Sequence, residues 1–231
     1  DWRGVEITEE TFPDEIFRSY VTENYDADTD GFLSNEERLS VFKIDVSEKW
    51  ADYSEENKIQ SLAGIEYFSN LTLLVCDNND LEDIDVSRNA KLEILKCSGN
   101  KLTFLDVSGN SELWGLHFNN NQVESIDLGS NANLEFLQCR DNKLTSLDVR
   151  YNKKIKDIHC DNNMIKSLDL RKNTSLRQLY CPGNRLTALD LRNNGKLKYL
   201  RCDENYITSL NISKNQKLRS YTCDENVRII D

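Results

Sequence analysis

The densest group of metal-ligating side chains lies within twelve consecutive residues, 26–37. Aspartate occupies the first, third and fifth positions, glycine the sixth, serine the ninth and glutamate the twelfth. A Ca²⁺ loop needs oxygens at these positions and a backbone carbonyl at the seventh. Four carboxylates this close repel one another unless a divalent cation neutralises them. The pattern predicts bound Ca²⁺, and the alternative is an acidic turn that binds no metal. The predicted ligands are Asp26, Asp28, Asp30, the carbonyl oxygen of Phe32, Ser34 and Glu37.

The seven cysteines are the second group of reactive side chains. They are 21 residues apart, or 42 where Phe118 occupies the position between two of them. Such a series could be a redox relay, a metal ladder or a column of small buried apolar side chains. Phe118 favours burial, because a phenyl ring supports no thiol chemistry. Parallel strands about 4.8 Å apart also hold Cβ atoms outside disulfide range, and an odd number cannot pair fully. The series comprises Cys76, Cys97, Cys139, Cys160, Cys181, Cys202 and Cys223.

A histidine between two carboxylates is the third candidate. Asp157, His159 and Asp161 alternate, so on a strand they would share one face and could orient an imidazole or hold a weak metal. His117 would lie two repeats away, about 10 Å, which is too far for joint coordination. No serine or cysteine nucleophile is predicted beside them on the exposed face, so we expect no enzymatic activity.

The cysteine interval is the period of a repeat that fills most of the chain. Each unit reads LxxLxCxxNxLxxLDVSxNxx, and residues 92–112 match it throughout. One unit cannot enclose its own leucine and valine side chains, so the units must stack. We expect a strand at LxC, with the fourth and sixth positions pointing inward and the third, fifth and seventh outward. The asparagines at the ninth and nineteenth positions are expected to bond the backbone of the turns.

This pattern resembles a leucine-rich repeat over about residues 71–231, and its cysteine is similar to that of the cysteine-ladder repeats of bacterial internalin-type surface proteins. The resemblance implies an α/β solenoid, a right-handed coil of about eight 21-residue repeats with a parallel β-sheet on its concave face.

Apolar residues at helical spacing flank the acidic loop. They are Ile16, Phe17, Tyr20 and Val21 before it, and Leu39, Phe42 and Val46 after it. The predicted helix, loop and helix resemble an EF-hand over about residues 12–46. EF-hands usually occur in pairs, and the sequence contains no second loop. A structural Ca²⁺ that keeps a cap folded on the first repeat is therefore the expected role.

The net charge of −11 is carried by the first quarter of the chain. Residues 1–58 contain 17 acidic and 6 basic residues, whereas residues 59–231 contain 23 of each. This break predicts a helical N-terminal cap over 1–58 and a solenoid over 59–231, with Trp50 and Tyr53 packed at the junction. The acidic excess argues against a nucleic-acid partner, and no apolar run approaches the roughly 18 residues of a membrane helix.

The third, fifth and seventh positions of the repeats define the concave face, and they vary while the inward positions recur. Aromatic and arginine side chains cluster there in the later repeats, which is the composition of an interaction hot spot. We expect a protein or glycan partner at this cluster, and the alternative is an unused solvated face. The cluster comprises Phe136, His159, Tyr180, Tyr199, Arg201 and the neighbouring Tyr206.

These observations favour an adhesion-type interaction module of a bacterial protein, secreted or at the cell surface and monomeric. One alternative is a structural spacer in a larger surface protein. Another is a binder of anionic wall polymers through a basic flank. That flank comprises Arg150, Lys153, Lys154, Arg171, Lys172, Arg192 and Lys196.

Overall fold

Short strands and two α-helices precede the repeats in the computed structural model, which describes residues 4–47 and 58–231. Helix α1 begins where the Asp14 carboxylate accepts hydrogen bonds from the amides of Ile16 and Phe17. The elements in chain order are β1 (Val5–Glu6), α1 (Glu15–Tyr25), β2 (Phe32–Leu33), α2 (Asn35–Leu39) and β3 (Lys43–Asp45). Strands β1 and β2 pair antiparallel.

One parallel sheet runs along the repeats. It contains β3 and one strand from each repeat, and from β4 onward neighbouring strands pair at an offset of 21 residues. A 3₁₀ helix (Ile65–Tyr67) leads into β4 (Leu73–Val75), β5 (Ile94–Lys96), β6 (Gly115–His117), β7 (Phe136–Gln138), β8 (Asp157–His159), β9 (Gln178–Tyr180), β10 (Tyr199–Arg201), β11 (Ser209–Asn211), β12 (Ser220–Thr222) and β13 (Arg228–Ile230). Strands β11 and β13 form a separate parallel pair. The predicted solenoid of about eight repeats with a parallel sheet is confirmed.

The fourth and sixth positions of the repeats form the core. Leucine or isoleucine at the fourth position is buried in β4 to β10, and all cysteines except the half-buried Cys223 are buried. All seven thiols are free, and Cys76 and Cys97 donate from Sγ to carbonyl oxygens of the next repeat at 3.4 and 3.6 Å. Burial raises the pKa of both thiols. The cysteines are therefore protonated packing groups, as Phe118 indicated.

The asparagines connect each repeat to the one before it. Asn100 donates from Nδ2 to the carbonyls of Cys76 and Cys97, at 3.0 and 3.1 Å, and its Oδ1 accepts from the Leu81 amide at 3.0 Å. The second series donates in the same way, since Asn110 Nδ2 bonds two carbonyls of the preceding repeat, but its buried Oδ1 has no partner among the described residues. These contacts recur from repeat to repeat, so the amides supply the turn hydrogen bonds that no strand provides.

The last repeat departs from this pattern. Asn226 is exposed, and no hydrogen bond of its side chain is seen among the described residues. At the seventh position of this repeat, the Asp224 carboxylate accepts from the amides of Glu204 and Asn205 at 2.8 and 3.3 Å. Tyr221, at the inward fourth position, is 43% exposed because no further repeat covers it in this chain.

The second helix of the EF-hand-like unit is shorter than predicted. Helix α2 ends at Leu39, Phe42 is exposed, and β3 follows with Ile44 buried. The expectation of a helix reaching Val46 is wrong, because β3 pairs with β4 and that pairing holds the backbone extended.

The sheet thus begins within residues 1–58, and the division near residue 58 stays a prediction. Trp50 and Tyr53 lie outside the described residues. In the described parts of the chain, no helix is long and apolar enough to cross a membrane.

Candidate functional site

The acidic loop brings three carboxylates together. One oxygen each of Asp26, Asp28 and Asp30 lies within 4.8 Å of the other two. The Gly31 amide donates to Asp26 Oδ2 at 3.1 Å, and the Phe32 amide donates to Asp30 Oδ1 at 2.8 Å. Gly31 has a φ of 83°, in the region that favours glycine, so its place at the sixth position is required by the turn.

Glu37 closes the loop through hydrogen bonds. Its carboxylate accepts from the amides of Ala27 and Ser34 at 2.7 and 2.8 Å, and Ser34 Oγ accepts from the Glu37 amide in a capping box. Burial opposes its charge, but the hydrogen bonds from Ser34 and Ala27 prevail and lower the pKa of Glu37. Glu37 is outside the group of oxygens within 4.8 Å of one another. It is tied to that group through Ala27, which lies between the first two aspartates.

Local desolvation and the charges of Asp30, Glu37 and Asp26 raise the pKa of Asp28, and a bound cation would relieve this repulsion. The donors are all oxygens, which suits a hard cation such as Ca²⁺ better than zinc. The loop is supported from outside by β1, since the Ile7 amide donates to the Gly31 carbonyl at 2.9 Å. Strand β1 thus lies beside β2, and the described residues 4–47 contain no second loop of this kind.

Gly115 opens a hollow in the concave face. It is at the third position of its repeat, between Ile94 and Phe136 on the neighbouring strands. Because Gly115 has no side chain, a space of about 310 Å³ remains, lined by Ile94, Trp114, Phe136 and His117 among others. The rings of Trp114 and Phe136 meet edge to face with centroids 5.9 Å apart. We call this space the Gly115 hollow.

Sequence reasoning identified two side chains that line this hollow, Phe136 and His159, and missed Trp114 and Gly115. The overlooked signal is the glycine. Seven of the eight repeats carry a side chain at the third position, and Gly115 is the exception. Burial, with the nearby Lys96 and His159, lowers the pKa of His117 to about 4. Its imidazole is therefore neutral near pH 7.

Three of the predicted partner-binding residues form a continuous row. The rings of His159 and Tyr180 stack at 4.6 Å with 21° between their planes, and the Arg201 guanidinium lies 5.9 Å from the Tyr180 ring centroid. Burial lowers the pKa of His159, and its Nε2 lies 2.6 Å from the Gln178 amide nitrogen, which donates to the neutral ring. We call His159, Tyr180 and Arg201 the stacked row.

The two remaining predicted tyrosines make no described ring contact with the stacked row. Tyr199 is on β10 at the third position and is 36% exposed. Tyr206 is at the tenth position, beyond the strand, and is 67% exposed. The structure therefore places Tyr206 off the concave face.

Asp157, His159 and Asp161 do not form a compact metal site. No group within 4.8 Å of one another contains them in the described residues. Asp161 is buried, and burial raises the pKa of the half-buried Asp157. Cys160, which lies between His159 and Asp161 in sequence, is buried in the core.

The basic flank is partly compensated, since its arginines are paired with aspartates and its lysines are not in the described ion pairs. Each of its three arginines pairs with the aspartate two residues earlier, and Lys154 Nζ donates to Asn133 Oδ1 at 2.6 Å. Paired charges present a weaker field to a polyanion. The pairs are Asp148–Arg150, Asp169–Arg171 and Asp190–Arg192, with N–O distances of 2.8, 2.7 and 2.8 Å.

Solved structures from Listeria monocytogenes have the same architecture. The internalin C2 structure matches 96% of this chain and 98% of its own, with a TM-score of 0.84 and 18% identity. The internalin InlF matches 99% and 73%, with a TM-score of 0.70 and 22% identity. The functional domain of InlJ, described as including a cysteine ladder, matches 98% of this chain with a TM-score of 0.52 and 24% identity.

The chain spans 61% of the InlJ domain's length. No family model and no curated protein sequence matches it. At these identities the likeness shows the fold alone. That fold is the cysteine-ladder, leucine-rich repeat solenoid of the Listeria internalins.

Proposed function

We propose that this chain is an interaction module of a bacterial protein, secreted or displayed at the cell surface, that binds a protein partner on the concave face. It acts by binding rather than by catalysis. The stacked row is the observation that carries this proposal.

The fold does not need the side chains of the stacked row. The backbone of β8, β9 and β10 is held by sheet pairing, and the core is supplied by the fourth and sixth positions. The outward positions are therefore free to vary, yet three consecutive repeats carry stacked histidine, tyrosine and arginine. Tyrosine and arginine are the side chains that most often dominate binding energy in interfaces. A pure spacer would have no use for such a row.

The test is capture of partners from host and microbial extracts by the intact chain and two variants. We expect Tyr180→Ala/Arg201→Ala to lose the captured partners. Tyr151→Ala should retain them, because Tyr151 is 57% exposed and lies outside the sheet. Circular dichroism would show that all three proteins are folded. Identical partners for the double variant and the intact chain would contradict the proposal and favour a spacer.

We also propose that the acidic loop binds a structural Ca²⁺ through Asp26, Asp28, Asp30, the Phe32 carbonyl, Ser34 and Glu37. The clustered aspartates, the left-handed Gly31 and the raised pKa of Asp28 support it. The unpaired loop suits an affinity on the order of 10⁻⁴ to 10⁻³ M, which extracellular Ca²⁺ would meet. The cation would neutralise the loop and hold it against β1.

Calorimetry and thermal melting test this proposal. At free Ca²⁺ ten times the dissociation constant, binding stabilises the folded chain by about 1.4 kcal/mol. Chelation should remove this gain, and Asp28→Asn/Asp30→Asn should abolish the calorimetric signal. Glu36→Gln, an exposed change in helix α2 outside the predicted ligands, should preserve it. An unchanged melt with no heat of binding would refute the site.

A further inference from the structure

We propose that the Gly115 hollow is an anchor site for a bulky apolar side chain of a protein partner, with a lysine or arginine of the same partner segment seated beside it. The inference rests on the proposed function and specifies the chemistry of the partner. It is based on the Gly115 hollow and a second, acidic space, which are both lined by Trp114.

The Gly115 hollow has apolar walls. Ile94, Trp114 and Phe136 surround the missing side chain of Gly115. Its volume of about 310 Å³ is at the small end of ligand sites, so it fits one large side chain rather than an extended ligand. A buried apolar anchor in such a pocket is the usual centre of a protein interface.

Gln138, His159 and Gln178 at the edge of the hollow are hydrogen-bonded to other side chains, whereas no side-chain hydrogen bond of Lys96, His117 or Asp157 is seen among the described residues. Gln178 bonds His159, and Asn119 Nδ2 donates to Gln138 Oε1 at 3.2 Å. The aromatic walls also meet edge to face, with 72° between their planes, and do not form one flat platform. The small volume and the absence of one flat aromatic face favour an apolar side chain of a protein over a glycan.

The second space is also lined by Trp114, and its acidic side chains outnumber its basic ones. Glu93, Glu112 and Glu135 line it together with Lys154, whose Nζ donates to Asn133, and its volume is about 530 Å³. Lys156 pairs with Glu135. Among the described residues, no basic nitrogen lies within 4.0 Å of the Glu93 or Glu112 carboxylates, and the Trp114 indole donates to Glu93 at 3.4 Å. Two uncompensated carboxylates beside an apolar anchor site complement a cationic side chain.

Gly115 can be filled without strain. Its φ is not in the left-handed region, and a Cβ there would lie 3.5 Å from the Ile94 side chain, an ordinary van der Waals contact. Gly115→Leu should therefore fold and block the hollow. Ser220→Leu places the same side chain at the third position of another repeat, where β12 is exposed, and is the matched control.

The experiment selects binders from a displayed library of random twelve-residue peptides, with the intact chain as bait. We expect enriched peptides to share a bulky apolar residue near lysine or arginine. Gly115→Leu should weaken their binding about tenfold or more, the loss expected when one apolar anchor is excluded. Glu93→Gln/Glu112→Gln should weaken it about fivefold at low salt, and Ser220→Leu and Glu124→Gln should leave it unchanged.

The outcomes separate this inference from the proposed function. Peptides that depend on Tyr180 and Arg201 but bind Gly115→Leu normally would overturn the anchor site and leave the concave face as the binding surface. If every concave-face variant binds the peptides as the intact chain does, or if no peptide is enriched, both the anchor site and the proposed function would be contradicted. Binding to a glycan array that Gly115→Leu abolishes, without peptide binding, would overturn the assignment to a protein partner.

Discussion

The asparagine ladder allows a stability prediction with an internal control. Asn121 is buried at the ninth position of a central repeat. Its Oδ1 accepts from the Leu102 amide at 3.0 Å, and its Nδ2 donates to the carbonyls of Cys97 and Phe118 at 2.9 and 3.1 Å. Its Nδ2 also lies 3.2 Å from the Asn119 carbonyl, so its two amide protons serve three carbonyl oxygens. Asn121→Ala removes all of these hydrogen bonds.

The lost bonds are not equivalent, and the Asn119 carbonyl keeps its bond from the Gly99 amide. The Cys97 carbonyl also accepts from Asn100, and the Phe118 carbonyl also accepts from Asn142, so each keeps one partner in the variant. The Leu102 amide has no other hydrogen bond among those described, and orphaning a buried amide costs about 1–3 kcal/mol. Each lost carbonyl bond adds about 0.5–1.5 kcal/mol. The expected destabilisation is therefore about 4 kcal/mol, a large fraction of the about 5–15 kcal/mol that stabilises a typical domain.

Asn226→Ala is the matched control. Asn226 occupies the same position of the last repeat, but it is exposed and its side chain makes no described hydrogen bond. We expect its removal to change the free energy of unfolding by less than about 0.5 kcal/mol. Urea unfolding followed by far-ultraviolet circular dichroism measures both values. Similar midpoints for the two variants, or a cost below about 1 kcal/mol for Asn121→Ala, would refute the structural role of the ladder.

Three further predictions concern titration and reactivity. A thiol reagent should modify the half-buried Cys223 first and reach the buried Cys139 only on unfolding, because burial raises the pKa of Cys139. Cys223→Ser should remove the fast phase of the reaction. A second thiol that reacts fast in the folded chain would contradict this order. Burial lowers the pKa of His117 from 6.5 to about 4, so the unfolded chain binds the proton first and stability should fall as pH drops through that window. Histidine NMR titration gives the pKa directly, and His117→Gln should lose less stability between pH 7 and 4 than the intact chain. Arg171→Ala should leave the urea midpoint unchanged, because the pair with Asp169 is fully exposed; a marked shift would show coupling along the flank.

The repeat period was sufficient to predict most of the fold. The recurrence of leucine and cysteine predicted the strands, the inward positions and the free thiols. Successive side chains of a strand point to opposite faces, so only one orientation of the strand buries the leucine and the cysteine. The asparagine contacts were predictable in kind, since their amides had to satisfy turn backbone. The exposure of Asn226 was not predictable, because its residue type and position match those of the buried asparagines of the earlier repeats.

The errors arise where tertiary contacts outweigh local pattern. Leu39, Phe42 and Val46 follow helical spacing, yet pairing with β4 makes Lys43–Asp45 a strand. Ile44 and Val46 alternate with Asp45, and this two-residue period was the signal for extended structure. The Gly115 hollow escaped prediction for another reason. A search for interaction residues looks for large side chains, whereas this site is created by a missing one.

The pairing of β1 with β2 extends the acidic loop beyond its own twelve residues. Val5 faces Leu33 in that pair, and the Ile7 amide bonds the carbonyl of Gly31 in the middle of the loop. The cation proposed for this loop would also hold this strand, and by reciprocity the strand would strengthen retention of that cation. Proteolytic removal of residues before Thr11 would therefore speed cation release without touching one oxygen ligand.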